Sequence, residues 1–374
     1  MLGLLPILPL LLANKAVGYN LPNPTGRYNI TLKTGPLIDY SRESWKLMVS
    51  VFQPANCTCT VAVPNMPNKS AEVLAAYSQE YAQMLANLTF EFGPLLRDAH
   101  LPVCVGDATS ISPLQDSPVL LFSHGQAGSR LWHNVFASAL ASEGFTVITM
   151  DHPGDATIIE YPDGQLLRNN GLDGSLGPLD AAVYHRGNDT SFVLDQLRNA
   201  TAMAELGLAT FSTDRIGILG LSLGGATALQ AIGQDSRILA AITWAGPVLT
   251  ELPPSGIPRP VLFVASDHES NWTIDGMEVG WRQTHGPKLW TQIADLQHTG
   301  FLDMMSMLKA AGQDPAQAPE VLGTIDPDEL NRILVAYTTE WMNGAFAGKI
   351  GGPLLEGEQP DRFPNVSVVK KENF

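Results

Sequence analysis

The stretch that most constrains this chain runs from Arg215 to Ile232, RIGILGLSLGGATALQAI. A short apolar run ends at Ser222, and a run of small residues begins immediately after it. The first half suits a buried strand and the second a helix. Ser222 stands between Gly220 and Gly224. Where a strand turns sharply into a helix, side chains two positions before and after the turn residue would collide with neighbouring backbone, so glycine is needed at both. The turn residue then presents its hydroxyl above the sheet, as a nucleophile elbow. A G-x-S-x-G pattern arises by chance about 0.2 times in a chain of this composition. The strand before it and the helix after it give this one its meaning.

The rest of the chain repeats the same alternation. VLLFSHGQAG, GFTVITMDHPGD, ILAAITWAG and PVLFVAS are short apolar runs, and LWTQIADLQHTG is a weaker strand candidate. Helical or loop segments separate them. Buried strands alternating with helices predict a mostly parallel central sheet covered by helices on both faces, an α/β fold of the hydrolase type. Near the N-terminus, SAEVLAAYSQEYAQMLANL carries Val73, Leu74, Tyr77, Tyr81, Met84, Leu85 and Leu88 at helical spacing, which predicts a core-facing stripe. No repeat or low-complexity linker divides the chain, so one domain over residues 19–374 is expected.

A serine hydroxyl needs a base, and in this fold the histidine follows the last strand. His298, in DLQHTGFLD, has that order. His124 reads as structural, His152 and His268 follow strand ends and are candidates to line a pocket, and His185 and His285 lie in polar stretches. The developing oxyanion needs preset donors. The backbone N–H of Leu223, at a helix N-terminus, is one candidate and that of Gln126, after FSHG, is the other.

The formal net charge of -15 sets the protein against phosphate backbones, which excludes nucleic acid as an expected partner. Any contact with a lipid interface is expected to be apolar. The run from Leu2 to Ala13 is too short to span a bilayer and suits a secretory signal peptide over residues 1–18, with Ala16 and Gly18 as small residues for cleavage. Eight N-x-S/T sequons, at Asn29, Asn56, Asn68, Asn87, Asn188, Asn199, Asn271 and Asn365, exceed the roughly two or three expected by chance and point to N-glycans on a secreted, extracellular protein. In that oxidising setting one disulfide is expected among Cys57, Cys59 and Cys104. Cys59 is favoured over Cys57 as the partner of Cys104, because Cys57 lies inside the sequon of Asn56. No spacing suggests a metal site, and no cofactor is expected.

In family order, KLMVSVFQPA, FSHGQAGSRLWHNVFASALASEGFTVITMDHPGDA, GLSLGGATA and QHTGFLD resemble the plasma-type platelet-activating-factor acetylhydrolase family of α/β-hydrolases, in its secreted fungal form. The resemblance implies metal-free hydrolysis of short or oxidised acyl esters of phospholipids by Ser222 and His298, with oxyanion donors at Leu223 and Gln126. At the family's usual position for the triad acid the chain has Ala245 and Gly246, neither of which is acidic. In the wider fold the acid commonly follows the penultimate strand, here PVLFVAS. The loop DHESNW then offers Glu269, favoured, with Asp267 as the alternative and Asp275 further off. Three functions therefore compete: an esterase for short acyl esters, a polyester or plant-polymer esterase, and a catalytically inactive binding protein on a hydrolase scaffold.

Overall fold

The computed structural model describes residues 18–57, 60–105, 111–169 and 177–373. The proposed signal peptide, apart from its last residue Gly18, and Cys59 lie outside these. The central sheet is built on nine adjacent strands: β1 (Asn29–Asp39), β2 (Trp45–Cys57), β3 (Val119–Ser123), β4 (Thr146–Met150), β5 (Ile216–Leu221), β6 (Ile238–Trp244), β7 (Val261–Ser266), β8 (Lys288–Ile293) and β9 (Val366–Glu372). Their order is β1-β2-β4-β3-β5-β6-β7-β8-β9, and a short strand, Ile111–Pro113, adds to the end of β2. From β4 to β8 every neighbouring pair is parallel, whereas β1, β2 and β9 run antiparallel to their neighbours. A separate small sheet joins Tyr19–Asn20, Ala99–Cys104 and Thr60–Pro64.

The helices that matter here are α1 (Asn68–Ala86), α2 (Asn134–Ser142), α3 (Leu179–Gln196), α4 (Leu223–Gln234), α5 (Asn271–Gln283) and α6 (Pro327–Phe346). Successive strand side chains point to opposite faces of the sheet. In β5, Leu219 and Leu221 enter one apolar cluster with Phe136 of α2 and Trp341 of α6. Ile216 and Ile218 enter another with Val193 of α3, Leu229 of α4 and Met277 of α5. Burial on both faces is why the strands read as continuous apolar runs rather than as alternating ones. Each fully buried aliphatic side chain contributes about 1.5–3 kcal/mol over leaving it in water.

Two expectations need correction. The stripe on α1 is only partly core-facing. Its buried face is made by Ala71, Leu74, Ala75 and Ala82, while Met84 is 61% and Leu85 51% exposed. The last turn of the helix runs past the core, so its large apolar residues have nothing beneath them. The disulfide joins Cys57, not Cys59, to Cys104. The ends of β2 and the strand Ala99–Cys104 converge, bringing the two Cα atoms to 6.2 Å, within bridging reach. The sequon is no obstacle, because consecutive strand residues point to opposite sides: Asn56 is exposed while Cys57 is half-buried.

Candidate active site

The parallel strands end along one edge of the sheet, where open α/β sheets bind their ligands. Ser222 follows β5 at φ 56°, ψ −119°, and α4 starts at the next residue. A non-glycine residue there costs on the order of 1–3 kcal/mol and persists only where its surroundings hold it. The hold is visible: the Ser222 N–H donates to Trp244 O at 2.7 Å, and Ser222 O accepts from the Ala226 N–H at 3.0 Å. The flanking glycines are required by close approach. A Cβ on Gly220 would sit 2.4 Å from the backbone of Gly224, and one on Gly224 would sit 2.0 Å from Ser123 O. Leu223 N–H lies in the first turn of α4, where N–H groups have no intrahelical acceptor.

The loop after β3 passes directly over this turn. A Cβ on Gly125 would stand 3.6 Å from Ser222 Cβ. Gln126 follows it and lines the same cavity as Ser222.

His298 comes from the segment after β8. Its Nδ1 lies 2.7 Å from Glu269 Oε2, in the loop after β7. The other carboxylate oxygen, Oε1, accepts from the Ser266 hydroxyl at 2.7 Å, and the Glu269 side chain is 1% exposed. A carboxylate can only accept, so this contact puts the proton on Nδ1 and leaves the Nε2 lone pair free. Asp267 does something else. Its carboxylate accepts from the backbone N–H groups of Asp295 at 3.0 Å and Leu296 at 3.2 Å, shaping the turn that leads to His298. Asp275 is exposed on α5. Ala245 is fully buried, and a Cβ on Gly246 would sit 2.4 Å from Thr243 Oγ1, so the end of β6 has no space for an acid.

Ser222, His298 and Gln126 open into a cavity of about 490 Å³, walled by Tyr77, Tyr81, Phe90, Trp132 and Met304 among others. That size suits a small ligand. Its lining is mostly apolar, with Ser222 and His298 among its polar groups, so it offers shape to a hydrophobic group and polarity to a reacting one.

Three further histidines, His124, His133 and His152, are buried. His124 lines the cavity, but its Nδ1–H is committed to Gly125 O at 2.6 Å; burial first and Arg186 second hold its pKa well below the usual range. His133 packs against Phe122 with ring centroids 4.2 Å apart, and burial pushes its pKa down to about 3. His152 imitates a triad: Nδ1 lies 2.9 Å from Asp189 Oδ2 and Nε2 lies 2.9 Å from Ser123 Oγ. All three of those residues are 0–1% exposed, so no substrate reaches Ser123 and the array is structural. His268 is exposed beside Asp267 rather than lining the cavity. His185 and His285 are exposed. Among the described residues, no group of three or more His, Cys, Asp or Glu side chains could hold a metal ion, and no helix is long and apolar enough to cross a membrane.

Sequence reasoning missed two parts of this region. Ser266, at the end of β7, orients Glu269. Arg186 and Asp155 form a buried pair behind the loop after β3. The first was visible as a serine closing an apolar strand. The second joins residues 31 positions apart and leaves no local pattern.

Sheet order, elbow, and a histidine held by a carboxylate at the ends of two successive strands define an α/β-hydrolase. The alpha/beta hydrolase fold family matches residues 118–273. A ferulic acid esterase from Streptomyces cinnamoneus superposes with a TM-score of 0.75, covering 95% of this chain and 100% of its own at 24% identity. The family described as platelet-activating factor acetylhydrolase, isoform II, matches residues 15–169. A probable 1-alkyl-2-acetylglycerophosphocholine esterase of Arthroderma benhamiae is 28% identical, covering 92% of each chain. A platelet-activating factor acetylhydrolase of Cavia porcellus is 22% identical, covering 82% of this chain and 77% of its own. Over most of its length the chain is thus similar to platelet-activating-factor-acetylhydrolase-like α/β-hydrolases.

Proposed function

We propose that this carboxylic ester hydrolase is a secreted serine esterase that cleaves short acyl esters, including those of platelet-activating-factor-like or oxidised phospholipids. The observation that carries the reading is the 2.7 Å contact between His298 Nδ1 and the buried Glu269 carboxylate, in a cavity shared with the elbow serine. In this scheme His298 Nε2 takes the proton of Ser222 as Oγ attacks the ester carbonyl. The N–H groups of Leu223 and Gln126 receive the oxyanion. Collapse of the tetrahedral adduct expels the alcohol, which leaves with the proton from His298, and an acyl-enzyme remains. Water, deprotonated by His298, then releases the acid and restores Ser222. Glu269 holds the tautomer and stabilises the imidazolium throughout.

The aromatic wall favours an apolar acyl or alkyl chain, and the relatives named as a 1-alkyl-2-acetylglycerophosphocholine esterase and a platelet-activating factor acetylhydrolase support release of an acetyl-sized acid. Secretion and N-glycans are supported by the disulfide and by the sequon asparagines, seven of which are exposed and the eighth, Asn365, half-buried. The test is labelling by a fluorophosphonate probe, run beside p-nitrophenyl esters from acetate to palmitate and a short-chain phospholipid. Ser222→Ala should abolish labelling and turnover while keeping the fold. Labelling that survives in Ser222→Ala removes the nucleophile assignment, and preference for palmitate over acetate removes the short-acyl one.

A further inference from the structure

We infer that Arg186 is a positioning residue that aims the Gln126 N–H into the cavity by holding the carbonyls of the loop behind it. Arg186 lies on α3, is 1% exposed, and stands outside the cavity wall. Its Nε donates to Asp155 Oδ2 at 2.6 Å, and Nη2 reaches the other carboxylate oxygen, so the buried charge is paired. What remains of the guanidinium points at the loop. Nη1 donates to His124 O and to Ser123 Oγ at 3.2 Å, and Nη2 donates to Gly125 O at 3.1 Å. The Gly125 carbonyl is further held by His124 Nδ1–H at 2.6 Å and by the Gly128 N–H at 3.2 Å.

The consequence follows from peptide planarity. In a trans peptide the C=O and the N–H of one unit point in opposite directions. The unit between Gly125 and Gln126 has its C=O turned toward Arg186, so its N–H is turned away from Arg186, and Gln126 lines the cavity it shares with Ser222. Local preference alone does not keep this shape. Ala127, one residue on, has φ 49°, a left-handed conformation that costs an alanine about 1–2 kcal/mol. Thr157 restrains that side, its hydroxyl on Ala127 O and its N–H on Gly128 O at 2.9 Å. Arg186 restrains the other. Without it, the carbonyls of His124 and Gly125 lose their charged donor, and only His124 Nδ1–H and the Gly128 N–H still hold the 125–126 peptide, a weaker restraint on the direction of its N–H.

The inference rests on the proposed role of the Gln126 N–H as an oxyanion donor, and the experiment separates the two. Arg186→Met is compared with Arg186→Met/Asp155→Asn, which leaves no unpaired buried carboxylate. Turnover of p-nitrophenyl acetate is measured per folded molecule. Inhibition is measured with an alkyl trifluoromethyl ketone, which forms a tetrahedral oxyanion adduct with the serine. Both variants should lose about 10²–10³-fold in kcat, the cost of one oxyanion donor. KM should stay within threefold, and ketone affinity should fall by the same factor as kcat/KM. A residue that merely braces α3 would lower the melting temperature and leave these ratios alone. Should Arg186→Met fail to fold, Arg186→Lys carries the comparison, since an ammonium cannot span the carboxylate and two carbonyls at once; it should lose at least tenfold. Folded variants that keep kcat within fivefold, or that lose kcat while binding the ketone normally, overturn the Arg186 inference alone. A wild-type protein that neither binds the ketone nor cleaves any ester overturns the esterase reading and this inference with it.

Discussion

Replacing Glu269 by glutamine tests the charge on this residue with almost no change of shape. In the wild-type protein the carboxylate accepts from His298 Nδ1–H and from the Ser266 hydroxyl, both at 2.7 Å, and the side chain is 1% exposed. Glutamine supplies one acceptor and one NH₂ donor. If its oxygen stays on Ser266, its NH₂ faces Nδ1 and forces that nitrogen to accept. The proton then sits on Nε2, where the base lone pair is required. The same tautomer error, together with loss of the charge that stabilises the imidazolium, costs a serine protease about 10⁴-fold. An expected loss of 10³–10⁴-fold in kcat per folded site corresponds to about 4–5.5 kcal/mol of barrier. The control is Asp267→Asn. Asp267 accepts two backbone N–H groups at the turn before His298 and does not touch the imidazole. Asparagine keeps one acceptor, so stability should fall by about 1–3 kcal/mol while kcat per folded molecule changes by only a few-fold. The assay is turnover of p-nitrophenyl acetate, with the folded fraction fixed by near-ultraviolet circular dichroism. A Glu269→Gln protein within tenfold of wild type, or an Asp267→Asn protein down by 10³-fold, refutes the reasoning.

Other consequences are equally open to measurement. Gly224→Ala places a methyl 2.0 Å from Ser123 O, so it should destabilise by about 3 kcal/mol or more, and a urea midpoint equal to wild type would contradict the steric account. Cys104→Ser removes a link closing 47 positions and should cost about 4 kcal/mol in the chain-entropy model; non-reduced peptide mapping of the parent should recover Cys57 joined to Cys104. The Asp303 carboxyl accepts the N–H groups of Val135 at 2.7 Å and Phe136 at 3.4 Å, yet burial raises its pKa from 3.8 to about 7. Its folded value lies above its unfolded one, so its contribution to stability is complete below about pH 4 and is lost as pH rises toward 7, by at most about 1.4 kcal/mol per pH unit. Asp303→Asn should remove that part of the pH slope between pH 4 and 7, and parallel wild-type and variant slopes would count against it.

The sequence by itself determined the parts whose cause is local. A strand that must turn into a helix within one residue needs glycine on both sides of Ser222, and that need is written in eighteen consecutive residues. Strands buried on both faces must be apolar throughout, so β3 to β7 stand out as runs. The order of elbow and late histidine is likewise a property of chain order. What the tertiary structure decided are the relations between ends that meet only after folding. Two carboxylates follow β7 two positions apart, and counting cannot tell which turns toward His298; the sheet places Glu269 there and gives Asp267 to the backbone of residues 295 and 296. Cys57 and Cys59 stand two positions apart in the sequence, and the convergence of the end of β2 with Ala99–Cys104 selects Cys57. The stripe on α1 has helical period from end to end, but only the layers beneath it set how many turns meet a core. Arg186 leaves no trace in its own neighbourhood of sequence, because its meaning comes from a carboxylate on the turn after β4 and two carbonyls on the loop after β3. Periodicity and turn chemistry act over a few residues and are legible in the chain; partner choice among equivalent groups depends on distances that exist only once the layers have packed.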